Sequence, residues 1–103
     1  MPIDRVQALQ SLLEQDPNNS FARYGLGQAY ASAGKLQEAV ACYRELIAAN
    51  PDYVAAYYHG GQALERMGHT DAAKEMYEAG IEACNRTGDG HTRSEIQAAL
   101  DIL

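Results

Sequence analysis

The chain has no tryptophan, one phenylalanine, two lysines (Lys35 and Lys74) and two cysteines, and no long apolar run. Each shortage excludes something. A bilayer span needs about 18–20 consecutive apolar residues, and none is present. Eight basic residues against fourteen acidic ones give a net charge of −6. Such a surface repels phosphate backbones and anionic headgroups, so nucleic acid and membrane are not expected partners. It weakly favours basic peptides, and it also keeps a small protein in solution. Cys42 and Cys84 are far apart and in no metal-ligand spacing. They are expected as free, buried thiols in a reducing compartment. The start, Met1-Pro2-Ile3-Asp4-Arg5, lacks the apolar region of a leader, so the cytoplasm is the expected setting.

The chemistry of sites is also sparse. His59, His69 and His91 are dispersed, with no His-Glu-x-x-His or Cys-x-x-Cys spacing, and no metal site is expected. Gly25, Gly27, Gly60 and Gly61 lie inside helical periodicity, not after a strand, so they form no phosphate loop. Cys42 and Cys84 fall at packing positions. The chain is read as non-catalytic, with no cofactor.

What is present is a repeat. Tyr24, Gly27, Gln28, Ala29, Gly34, Ala39, Tyr43, Ile47 and Ala49 return as Tyr58, Gly61, Gln62, Ala63, Gly68, Ala73, Tyr77, Ile81 and Ala83. Pro17 and Pro51 stand 34 residues apart. A fixed period near 34 with glycine, alanine and aromatic residues at set places marks a helix–turn–helix repeat. At 103 residues and 47% hydrophobic content the chain is one small all-α domain with a modest core.

Taken in order, Ile3, Val6, Leu9, Leu12 and Leu13 form one helical stripe over 3–16, closed by Pro17. Shifted by 34, this stripe matches Val40, Tyr43, Leu46 and Ile47, so it is the second half of a repeat. Repeat one spans 20–51, with helices over 20–33 and 36–49 around a stop at Gly34. A mid-helix glycine costs about 1 kcal/mol against alanine, so close helix approach is expected at Gly27 and Gly61. Repeat two spans 54–85, around Gly68. Gly60 stands where repeat one has Leu26, which weakens the seam unless a bulky neighbour fills it. Asn18 and Asp52 are expected helix caps. Residues 85–91 read as a loop, and Thr92-Arg93-Ser94-Glu95 as a capping box opening a last helix over 92–103. That helix breaks the register and is read as a terminal cap with Gln97 and Asp101 outward. Ile102 fits such a face poorly.

The recurring residues resemble the tetratricopeptide repeat (TPR) family. They are Leu26-Gly27, Tyr30, Gly34, Ala39, Tyr43 and Pro51, then Tyr57, Gly61, Leu64, Gly68, Ala73 and Tyr77. The layout is similar to that of small bacterial proteins with a half repeat, two full repeats and a cap. Arg23, Gly60, Gly80 and Asn85 depart from the pattern. The resemblance implies about six helices, in antiparallel pairs stacked as a right-handed superhelix. It also implies a concave groove on the first helices that holds a peptide or a partner's helix. Carried over, the groove residues are Phe21, Tyr24, Gln28, Ala31 and Ser32, then Ala55, Tyr58, His59, Gln62, Glu65 and Arg66. Helical spacing independently puts Tyr24, Gln28, Ala31 and Ser32 on one face and Tyr58, Gln62, Glu65 and Arg66 on its equivalent.

The Tyr–Gln pairs suit stacking on, and hydrogen bonding to, an extended backbone. The alternative is that both tyrosines are packing residues copied with the repeat. Chaperone-binding members of the family grip a carboxylate with lysine, arginine and asparagine. Here Tyr24, Gln28 and His59 occupy the matching places, so that grip is not expected. The function implied is a scaffold-type module binding a protein or peptide. The other reading is a homodimer through the uncovered first helix.

Overall fold

The structure is a computed structural model and describes residues 4–103. Ile3, placed on the first helical stripe by its spacing, lies outside them. Six helices follow in order: α1 (Arg5–Gln15), α2 (Ser20–Ser32), α3 (Leu36–Ala49), α4 (Val54–Arg66), α5 (Thr70–Thr87) and α6 (Gly90–Asp101). Three-residue turns join α2 to α3 and α4 to α5. Each turns on a glycine in the left-handed region, Gly34 and Gly68, both at φ 78°. A side chain there would be strained, which is why glycine ends both first helices.

Each helix packs on its neighbours in sequence. In addition α2 touches α4 and α4 touches α6, whereas α3 and α5 do not come close. Helices α2, α4 and α6 therefore form an inner layer that closes up, and α1, α3 and α5 an outer layer that splays. The stack curves around the inner layer and extends 44 Å along its long axis.

The expected close approach at the repeated glycines is present, and a tyrosine ring causes it. A Cβ on Gly27 would lie 2.7 Å from the Tyr43 ring, and one on Gly61 2.1 Å from the Tyr77 ring. Tyr43 and Tyr77 are 1% and 0% exposed. The gap at Gly60 is filled: a Cβ there would meet Met76 Cε at 3.3 Å and Tyr43 Cβ at 3.5 Å. Met76 stands one period after Cys42, so bulk lost at Gly60 is regained across the seam. Gly80, in place of Leu46, is covered too: a Cβ there would lie 2.7 Å from Tyr57 Cβ and 2.9 Å from Ile96 Cδ1.

Arg23 departs from the repeat pattern in type but not in task. Its Nη2 donates to the Pro17 carbonyl at 2.9 Å, and one period later the Tyr57 hydroxyl donates to the Pro51 carbonyl at 2.6 Å. Both reach back to the chain before the helix and satisfy a carbonyl that a proline turn leaves open. Arg23 is anchored further by Glu45 at 3.1 Å.

Three expectations are corrected at helix ends. The cap of α2 is Asn19, which accepts from the Ala22 N–H at 2.9 Å; Asn18 is not the cap. Asp52 does not cap α4. It pairs with Arg86 at 3.1 Å, and the N-terminal residue Tyr53 makes no side-chain cap. The segment 85–91 is mostly helix: α5 runs to Thr87, and Gly88 at φ 75° turns the chain at once into α6. Asp89 is the cap, accepting from the Thr92 N–H and Oγ1 at 2.9 Å each, so Thr92 lies inside α6. Both Asp-Gly and Thr-x-x-Glu are legitimate start signals; the earlier one takes the helix because Gly88 ends α5 directly before it.

Helix α6 packs on both α4 and α5, as α4 packs on α2 and α3. It therefore occupies the place of a third repeat's first helix, with Ile96 fully buried beneath it. Gln97 and Asp101 bond each other on its surface at 2.8 Å, and Ile102 is 83% exposed.

Candidate functional site

The inner layer encloses a cavity of about 260 Å³ between α2 and α4. Gln28, Ala31 and Ser32 line it from α2, and His59, Gln62, Ala63 and Arg66 from α4. Tyr43 reaches its floor from α3. Of the residues carried over from the family resemblance, Gln28, Ala31, Ser32, His59, Gln62 and Arg66 thus meet around one space.

Tyr24 flanks that space and is half-buried. Its ring centroid lies 5.3 Å from Tyr53, 5.6 Å from His59 and 6.3 Å from Tyr43. Its hydroxyl accepts from Gln28 Nε2 at 3.2 Å. Burial raises the Tyr24 pKa, and the Tyr53 hydroxyl and the Glu95 carboxylate add to this. Tyr58 is also half-buried; it packs against the core and sets its ring edge-on to His59 at 5.3 Å.

His59 sits among these rings, stacked on Tyr43 at 6.3 Å and 26°. Burial lowers its pKa below 6.5, partly opposed by the nearby Glu95 carboxylate. The ring is neutral at neutral pH and offers one donor and one acceptor.

Arg66 is exposed, and its Nη1 donates to the Ala31 carbonyl at 3.2 Å, tying α4 to the end of α2. Glu65 turns outward from the cavity: its Oε2 accepts a short bond from the Tyr77 hydroxyl. Burial first, and this bond second, raise the Tyr77 pKa far above the ordinary range. Phe21, in the first turn of α2, is 77% exposed and takes no part in the cavity.

Three contributors were not legible in the sequence. Tyr43 reads as a core residue by its spacing, yet the missing side chain at Gly27 lets its ring cross α2 and floor the groove. Tyr53 lies in the turn before α4, outside any helical stripe. Glu95 reads as part of a capping box; only the packing of α6 on α4 brings its carboxylate within electrostatic reach of His59.

A second cavity of about 310 Å³ opens on the outer side, where α3 and α5 splay. Arg44, Ile47 and Ala48 face Ala72, Glu75 and Ala79 across it, over Tyr57 and Met76. Among the described residues no group of three His, Cys, Asp or Glu is arranged to hold a metal ion, and no helix is long and apolar enough to cross a membrane.

Comparison with known proteins agrees with this architecture. Profiles described as tetratricopeptide repeat match residues 8–41 and 54–87, and one described as TPR repeat matches 27–68. The crystal structure of a tetratricopeptide repeat domain protein from Salinibacter ruber is 38% identical, with a TM-score of 0.74. It covers 80% of this chain and 91% of that one. A protein from Bordetella parapertussis, solved in solution, is 26% identical with a TM-score of 0.84, covering 97% and 87%. The TPR2B domain of yeast Sti1, solved in a complex with pHsp70, is 21% identical with a TM-score of 0.87, covering 92% and 76%; at that identity it speaks to the fold alone. With a 34-residue period, paired helices stacked into a curve, and these matches along 8–87, the chain belongs to the tetratricopeptide repeat family.

Proposed function

We propose that this protein is a non-catalytic interaction module that holds an extended segment of a protein or peptide partner in the groove of its inner layer. The observation that carries this reading is the cavity between α2 and α4. Two amides one repeat apart, Gln28 and Gln62, meet there with the neutral His59 ring over an aromatic floor. Amides supply both donors and acceptors, which is what an extended backbone needs at successive residues. The half-buried tyrosines Tyr24 and Tyr58 support the rim more than they offer free stacking area. The TPR2B domain of Sti1, similar in fold, was solved in complex with pHsp70. Here, by contrast, the one arginine at the cavity is engaged with a backbone carbonyl, so a carboxylate grip is not part of the proposal.

The test is site-specific photocrosslinking in a lysate from a photoreactive residue at Ala31 or Ser32, both lining the cavity, with Glu75 on the outer face as control. One discrete adduct from the groove positions, lost in Gln28→Ala/Gln62→Ala at unchanged helicity, is expected. Adducts from Glu75 alone would overturn the proposal.

A second reading has its own observation. No residue of α1 is buried, and Leu12 on its apolar stripe is 41% exposed. Self-association through α1 would cover that stripe. It predicts a concentration-dependent dimer in sedimentation that Val6→Asp abolishes, with groove crosslinks unaffected.

A further inference from the structure

The outer cleft between α3 and α5 differs in kind from the same place one repeat earlier. The Cα atoms of the two helices stay more than 8 Å apart, and the gap opens over Tyr57 and Met76 as the cavity of about 310 Å³. On α5 its lining runs from Ala72 to Ala79, two helical turns or about 10 Å, so the space is a short channel. One period earlier, Glu14, Glu38 and Glu45 stand in the places of Ala48, Ala72 and Ala79. Arg23, paired with Glu45 at 3.1 Å, stands in the place of Tyr57. Three carboxylates and a guanidinium between α1 and α3 have thus become three methyl groups and a ring between α3 and α5. Charge remains in the lining at two places, Arg44 on the α3 wall and Glu75 on the α5 wall, where the earlier repeat has Gln10 and Ala41. Both are exposed, and among the described residues neither belongs to an ion pair.

Such a cleft suits a helix and not an extended chain. An extended segment needs partners for its N–H and C=O groups, and the surface between Arg44 and Glu75 is aliphatic, aromatic and thioether. A helix satisfies its own backbone, and its side chains pack as a ridge into the groove between two others. The opposite charges on the two walls then set the borders of its apolar stripe, as flanking charges do along paired helices. We infer that the cleft between α3 and α5 is a docking site for an amphipathic helix of a partner protein. Its apolar stripe lies over Tyr57 and Met76, with an acidic residue on the edge facing Arg44 and a basic one on the edge facing Glu75. This second site is independent of the inner groove; it lies on the other layer of the stack, and the two can be filled at once.

The probes are two end-blocked, alanine-based peptides of about 20 residues, long enough to be helical. Both carry leucine at every third or fourth position. One has a glutamate edge and a lysine edge, the other lysine on both edges. Amide shifts of the isotope-labelled protein at physiological salt report where each binds and how tightly. Shifts centred on Ile47, Ala48, Ala72 and Ala79 are expected, with the mixed-edge peptide about threefold tighter than the lysine-edged one. Arg44→Glu should reverse this ranking, and Lys35→Glu, an equal change of net charge away from the cleft, should not. Ala72→Glu/Ala79→Glu, which copies the earlier repeat, should abolish binding of both peptides at unchanged helicity. Should helicity fall in that variant, the Arg44→Glu reversal decides alone. The docking site is overturned by shifts from neither peptide, by shifts centred on Gln28 and Gln62, by binding that survives the two added carboxylates, or by a ranking that Arg44→Glu leaves unchanged. Cleft shifts that grow with protein concentration and no peptide would seat a second copy there and overturn the partner helix. Hexanol moving the same amides when neither peptide does would give the cleft to a small apolar ligand, with the same result. None of these outcomes counts against the inner groove, whose photocrosslinks are read separately.

Discussion

Four glycines inside α2 and α4 are the sharpest test of how this stack is held together, because their surroundings differ while their helical context does not. By helix propensity alone, each Gly→Ala change would stabilise by about 1 kcal/mol. What a Cβ meets sets the sign. At Gly25 it would lie 3.5 Å from the Leu9 methyl groups, which is ordinary contact. At Gly60 it would meet Met76 Cε at 3.3 Å, the free end of a flexible side chain. At Gly27 it would sit 2.7 Å from the Tyr43 ring, and at Gly61 2.1 Å from the Tyr77 ring. Tyr77 has nowhere to go: it is fully buried and its hydroxyl is bonded to Glu65. Overpacking of this kind costs about 1–3 kcal/mol or more.

The expected net effects therefore spread in order. Gly25→Ala stabilises by up to about 1 kcal/mol, Gly60→Ala is near neutral, Gly27→Ala destabilises by about 1 kcal/mol and Gly61→Ala by about 2–3 kcal/mol. Urea unfolding followed by helical circular dichroism reads this as a shift of midpoint at constant slope. A Gly61→Ala protein as stable as the parent would show that the Tyr77 ring is not pinned against α4. All four variants moving together would mean that propensity, and not ring packing, governs these positions.

Other consequences follow from the same geometry. Tyr57→Phe removes the shorter of two bonds to the Pro51 carbonyl, Arg86 Nη2 donating the other at 3.3 Å, and should destabilise by about 0.5–1 kcal/mol, read as a lowered urea midpoint. His59 is held neutral by burial, while the unfolded chain takes up a proton near 6.5. Its contribution is therefore full above that pH and declines as pH falls toward the lowered folded value. The urea midpoint should drop between neutral and mildly acid pH, and His59→Gln should flatten that part of the profile. Burial, with Glu45 nearby, pushes the Cys42 thiol up to about 11. At pH 8 only about 0.1% is thiolate, so a disulfide reagent should titrate Cys42 slowly in the folded protein and rapidly in denaturant. Fast reaction of the folded chain would contradict the packing assigned to α3.

The helices were legible because three signals coincide: an apolar stripe and a glycine stop in each repeat, and a proline, Pro17 or Pro51, ahead of each repeat's first helix. Helix α3 follows its predicted bounds, Leu36–Ala49. The groove was partly legible, since a helical face fixes which residues share a side. It does not fix which of them are consumed by packing. Glu65 shares a face with Gln62 yet is turned to Tyr77, and Tyr24 shares one with Gln28 yet is wedged among Tyr53, Tyr43 and His59. The far end was misread for a local reason. Two cap signals, Asp89 and Thr92, stand three residues apart, and only the geometry at Gly88 decides between them.

Comparing the chain with itself across one period separates two kinds of constraint. Seam positions trade side chains in compensating pairs. Leu26 and Cys42 become Gly60 and Met76, and Arg23 becomes Tyr57 while the bond to the proline carbonyl is kept. Packing asks only that volume be filled and polar groups be satisfied, so many pairs serve. The Tyr24/Gln28 pair returns unchanged as Tyr58/Gln62, although its surroundings do not. Gln28 is bonded to the Tyr24 hydroxyl, whereas Tyr58 is set edge-on to His59. Different packing in the two repeats does not by itself demand the same two side chains. A ligand that crosses both repeats and needs an amide at each pitch does, and that is the physical ground for seeking function at Gln28 and Gln62 before the outer cavity between α3 and α5.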